Sequence, residues 1–120
     1  MSAEIYYVRQ GKLYKPDGTV VCKVGRRTGW IDWLRDMRHK SFRYESFEGP
    51  QCSVVRESRK SSSSGIVHWY WYAHRKIGGR LRRVYLGKPE KLTITALEAA
   101  ARSLAQLGLD DAAEVSQQGA

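Results

Sequence analysis

The chain has 120 residues, 42% of them hydrophobic, and a net charge of +9, which bounds it to one modest core and leaves little room for extensive catalytic machinery. No apolar run is long enough to cross a bilayer and MSAEIYYVRQ lacks the cationic and apolar regions of an export signal, so a cytoplasmic, nucleoid-associated protein with no membrane partner is expected. Cys22 and Cys52 have no CxxC spacing, and His39, His68 and His74 have no metal-ligand pattern, so free structural thiols, no metal and no cofactor are expected.

The first predicted unit runs from Glu4 to Val24. Ile5 to Val8 and Lys12 to Tyr14 are rich in strand-forming residues, Lys15-Pro16-Asp17-Gly18 is a turn signal, and Thr19 to Val24 is a further β-rich run. It reads as a small hairpin, either an accessory sheet or an extension of a main one. After the loop Gly25 to Gly29, Trp30, Trp33, Leu34 and Met37 fall at i, i+3, i+4 and i+7, which predicts a short helix plugging the underside of a sheet.

Ser41 to Phe47 alternates, with Phe42, Tyr44 and Ser46 on one side, and Glu48-Gly49-Pro50 ends it as a turn. Cys52 to Arg59 follows as a strand, and the serine-rich segment Ser61 to Gly65 suits a connection between antiparallel neighbours.

Val67 to Gly87 is the stretch around which the rest is arranged. Val67 to Arg75 and Leu81 to Leu86 are two strand-like runs, and Gly78-Gly79 between them supplies the positive φ angles of a tight reversal. Between Arg56 and Lys91 there are ten Lys and Arg against two acids, Glu57 and Glu90, whereas Leu92 to Ala120 is net acidic. So poorly mixed a window is the pattern of a polyanion-binding surface more than of a solubilised one. Within it Arg56, Arg59, Lys60, Trp69, Trp71, Arg75, Lys76, Arg80, Arg82 and Arg83 are the candidate nucleic-acid contacts. Trp69, Trp71 and Arg75 share one strand face, assigned outward, since guanidinium forks pair with guanine or phosphate and exposed tryptophan stacks on bases.

Thr95-Ala96-Leu97-Glu98 has capping-box spacing and opens a helix whose stripe is Leu97, Ala100, Ala101 and Leu104, with Gly108 as its stop and Asp110 to Ala120 as a polar tail. The expected fold is therefore α+β: an antiparallel three-stranded sheet packed on a C-terminal helix, preceded by a small N-terminal β-hairpin and a short helix. Residues 1–28 form the hairpin extension, 29–108 the binding domain and 109–120 a flexible tail.

The strand, strand, strand, helix order from Cys52 onward resembles the DNA-binding module of plant AP2 domains and of the arm-binding domains of tyrosine-type integrases. More narrowly, WYWYAHRKIGGRLRRVYLGKPEKLTITALEAAA is similar to a YWYAYR...GKL...YLGK segment of bacterial regulatory and mobile-element proteins. His74 stands where that pattern has Tyr. Trp30 to Leu34 and Phe42 to Tyr44 match elements that often precede it, so the resemblance covers roughly Trp30 to Leu107.

The resemblance implies a sheet laid in the major groove of duplex DNA, and with it a sequence-specific transcriptional regulator or a recombination or mobile-element accessory factor; because one such module buries only about 600 to 1,000 Å² on DNA, a homodimer or a larger complex is expected. The alternatives are an RNA or single-stranded nucleic-acid module, motivated by Trp69-Tyr70-Trp71-Tyr72, and a protein-interaction adaptor with an acidic partner. An enzyme is not expected, because no Arg, His and Tyr constellation of a recombinase and no metal-nuclease carboxylate spacing is recognisable.

Overall fold

A computed structural model of the chain describes residues 5–118, with side chains as far as Gly108. The chain runs β1 (Tyr7–Arg9), β2 (Lys12–Tyr14), β3 (Val20–Lys23), α1 (Trp30–Arg35), β4 (Ser41–Glu45), β5 (Gln51–Lys60), β6 (Val67–Ile77), β7 (Arg80–Gly87) and α2 (Ile94–Gln118), with a single 3-10 turn at Pro89–Lys91 before α2.

All seven strands belong to one sheet of order β3-β2-β1-β4-β5-β6-β7. The strands pair antiparallel within two blocks, β3-β2-β1 and β4-β5-β6-β7, and the blocks join where β1 lies parallel to β4, with Tyr7 beside Arg43 and Val8 beside Tyr44. This overturns the expected three-stranded antiparallel sheet: the sheet is seven-stranded and mixed, and of the two alternatives for the N-terminal hairpin the extension of the main sheet is the one found. The physical reason is an edge. A free β1 edge would leave backbone groups unpaired, whereas here Arg43 N donates to Tyr6 O at 2.9 Å. The same register carries Val8 and Leu13 into the core beside Phe42 and Tyr44.

Strand alternation divides the sheet into two faces. The inner face carries Val8, Leu13, Phe42, Tyr44, Cys52, Val54, Trp71 and Ala73, all buried. α1 and α2 cover it. Trp30, Trp33 and Leu34 of α1 are buried as the helical spacing predicts, and Trp30 Nε1 donates to Leu92 O at 2.8 Å, tying α1 to the approach of α2. Met37 is not on that face, being half exposed, because α1 ends at Arg35 and Asp36 turns to an extended conformation; the i+7 position lies beyond the helix.

Leu97, Ala100, Ala101 and Leu104 of α2 are buried against the sheet. The N-terminus of α2 differs from the expected capping box. Thr93, not Thr95, accepts the capping bond, from Ala96 N at 3.1 Å. Glu98 is released for a tertiary role, accepting from Tyr44 Oη at 2.5 Å, Ser46 Oγ at 2.9 Å and Phe47 N at 3.0 Å. Gly108 does not stop the helix, which runs on to Gln118, so the backbone of the expected tail is helical up to that residue.

The β6–β7 reversal is the two-glycine turn the sequence predicts. Gly78 and Gly79 have φ of 57° and 80°, the pair of positive values that matches the twist of a hairpin.

Candidate nucleic-acid interface

No element covers the outer face of the sheet among the described residues. Its register lines up one row of side chains across six strands: Tyr14, Tyr7, Arg43, Ser53, His74 and Arg83. A second row holds Ser41, Val55, Tyr72 and Tyr85, and beyond it Glu57 faces Tyr70. With strands about 4.8 Å apart, Arg43 and Arg83 are separated by roughly 14 Å. Arg59 and Lys76 share this face by alternation, so β4 to β7 turn Arg43, Arg59, Lys76 and Arg83 outward against the acids Glu45 and Glu57.

Tyrosines occupy the middle. Tyr72 and Tyr85 meet edge to face at 5.4 Å, Tyr70 lies 5.8 Å from Tyr85, and Tyr85 is 57% exposed. The Arg83 guanidinium lies 5.3 Å from the Tyr72 ring centroid, and its Nη1 donates to Glu57 Oε2 at 2.8 Å. His74 Nε2 is 3.5 Å from the other Glu57 oxygen, buried and without a hydrogen bond. Burial pushes the His74 imidazole below its usual range, Glu57 opposing that shift and Arg83 reinforcing it. His74 is consequently neutral at pH 7.

Two shallow hollows flank this centre. One, of about 460 Å³, is lined by Glu57, Arg59, Tyr72 and Arg83 among others. The second, of about 310 Å³, is lined by Arg43, Ser53, His74 and Lys76 among others. Both are polar and edged by cations, the setting in which phosphate oxygens and base edges are received.

The candidate residues divide between the two faces. Arg59, Lys76 and Arg83 are on the open one. Trp71 is 1% exposed in the core, and Arg56 lies beneath it as a packing residue: its guanidinium is 4.8 Å from the Trp71 ring centroid, with Nη1 donating to Asp36 O at 3.2 Å. Burial lowers the Arg56 pKa, with Asp36 acting in the opposite direction. Trp69 and Lys60 alternate to the helix side and are exposed there, as does Arg75, whose cross-strand partner is Arg82. Arg80 flanks the Gly78-Gly79 turn. The outward assignment of Trp69, Trp71 and Arg75 is thus inverted: the outward set on β6 is His68, Tyr70, Tyr72, His74 and Lys76.

Arg43, Glu57, Tyr70, Tyr72, His74 and Tyr85 complete the face and were not among the candidates. The available signal was Ala73, which suits an inner face lying under an alanine-rich helix and leaves Tyr72 and His74 outward.

No family model, curated protein or solved structure matches the chain. Among the described residues no helix is long and apolar enough to cross a membrane, and no group of His, Cys, Asp and Glu could hold a metal ion.

Proposed function

We propose that the protein binds nucleic acid on the open face of β4 to β7, and that its ligand is duplex DNA received in the major groove. The observation that carries the proposal is the coincidence of outward cations and tyrosines on a face whose opposite side is closed by helices. Charge supplies attraction to phosphate that is independent of sequence, and cross-strand hydrogen bonds hold the side chains in a fixed array, as base reading requires. A major groove about 12 Å wide admits a β-ribbon, and the long β6–β7 hairpin has that form. A single DNA-binding module buries only about 600 to 1,000 Å² on DNA, which favours action as a dimer or within a regulatory or recombination complex.

A second reading, single-stranded DNA or RNA, is favoured by one observation: Tyr70, Tyr72 and Tyr85 form a cluster on which unpaired bases could stack. Fluorescence anisotropy with duplex and single-stranded probes of one sequence separates the two. For duplex binding that neutralises about four to six phosphates, log K falls against log salt with a slope of roughly −4 to −5. A stronger affinity for the single strand would favour the second reading, and a slope near zero would remove both.

A further inference from the structure

The outward cations are not alike. Arg43, Arg59 and Lys76 make no ion pair among the described residues, as suits side chains that follow a phosphate backbone. Arg83, by contrast, is held from two sides, by Glu57 through Nη1 at 2.8 Å and by the Tyr72 ring 5.3 Å beneath its guanidinium. Its side chain is still 53% exposed, at the rim of the larger hollow on the face. Because Glu57 engages Nη1, the Nε–Nη2 edge of the fork is left for a ligand.

A carboxylate in this position has unequal effects on two classes of acceptor. It repels a phosphate, whose charge has the same sign. It repels the O6 and N7 atoms of guanine far less, because these acceptors, matched to an arginine fork, carry only partial negative charge. Holding the fork in one geometry also removes freedom that a merely electrostatic contact would keep. We infer that Glu57 is a positioning residue for base reading, fixing Arg83 for a guanine edge and keeping phosphate away from it. The inference rests on the duplex-binding proposal and adds to it a base, a reading residue and a residue that enforces selectivity.

The test uses the full chain and a duplex chosen by selection from a randomised pool. Each guanine of the selected site is replaced in turn by 7-deazaguanine, which removes the N7 acceptor and preserves pairing. At one guanine the wild-type chain loses about tenfold in affinity, while Arg83→Ala is indifferent to the same replacement. Glu57→Gln, close to isosteric, binds a scrambled duplex more tightly than wild type does and has a smaller ratio of specific to scrambled affinity; circular dichroism confirms that it is folded. A merely structural role for Glu57 would weaken both duplexes together.

The inference is overturned if the selected site lacks guanine, if wild type and Arg83→Ala respond equally at every guanine, or if Glu57→Gln leaves the ratio unchanged. In each of those outcomes duplex binding by the wild-type chain survives. Failure of the wild-type chain to bind any duplex is a different result, which refutes the proposed function and this inference with it.

Discussion

Glu98 joins α2 to the end of β4, and Glu98→Ala measures what that joint contributes. Three donors converge on its carboxylate: Tyr44 Oη, Ser46 Oγ and Phe47 N. Tyr44 is fully buried, so its hydroxyl would be left without a partner at a cost of about 1 to 3 kcal/mol. Phe47 is 49% exposed and its N–H can turn to water, and Ser46 Oγ still accepts from Glu48 N, so these two losses are smaller. A total near 3 kcal/mol follows, which at ~2.1 cal/mol/K per residue corresponds to a fall in Tm of about 12 °C. Urea denaturation followed by fluorescence gives the free energy, and calorimetry gives Tm. A loss below ~1 kcal/mol would refute the claim that this carboxylate secures the helix to the sheet.

The pH dependence of the same residue has a defined sign. Partial burial would raise the Glu98 pKa, but hydrogen bonds from Tyr44, Phe47 and Ser46 outweigh it and hold the carboxyl below its ordinary value of 4.5. Its contribution is therefore complete above pH 4.5 and is lost as pH falls through the lower folded value. Glu98→Ala should remove that part of the acid limb.

Leu104→Asp, at a position with no exposure, should unfold the protein by burying an unpaired carboxylate against the sheet; a native thermal transition would show that α2 does not pack as described. The imidazole of His74 is held below its usual 6.5 chiefly by burial, so its protonation opposes folding and stability falls as pH drops below that value. His74→Gln should flatten this segment of the stability curve, and an unchanged curve would place the dependence elsewhere. Burial pushes the Cys52 thiol up to about 11 and raises the partly exposed Cys22 thiol as well. Iodoacetamide at pH 8 should label Cys22 first and Cys52 only on unfolding, whereas equal rates would contradict the burial of Cys52.

Local features of the fold were legible because short-range chemistry determines them. The Gly78-Gly79 reversal needs positive φ, Trp30, Trp33 and Leu34 share one helical face, and the Leu97 to Leu104 stripe pairs small residues with large ones for close packing. The union of the two strand blocks was not legible. It depends on β1 meeting β4 in parallel across some thirty-five intervening residues, and nothing in Tyr6-Tyr7-Val8 or Phe42-Arg43-Tyr44 specifies that partner.

The site was half legible for a different reason. The excess of positive charge between Arg56 and Lys91 points to β5, β6 and β7, but a strand with aromatics on both sides offers two equivalent assignments of its faces. Only the position of α2 decides between them. It takes Trp71 and Ala73 inward, leaves Tyr72 and His74 outward, and turns Arg56 from a ligand contact into a support for Trp71.

The central claim is that the open face, and not the helical layer, meets nucleic acid. Two double charge reversals of equal size test it most directly. Arg43→Glu with Lys76→Glu alters the open face, and Arg35→Glu with Arg102→Glu alters exposed positions on α1 and α2 whose surface ion pairs contribute little to stability. With duplex affinity measured at one fixed salt concentration, the first pair should weaken binding about 100-fold or more and reduce the salt slope, while the second should change it by no more than about threefold. Equal losses from the two pairs, or a greater loss from the helical pair, would contradict the assignment of the face.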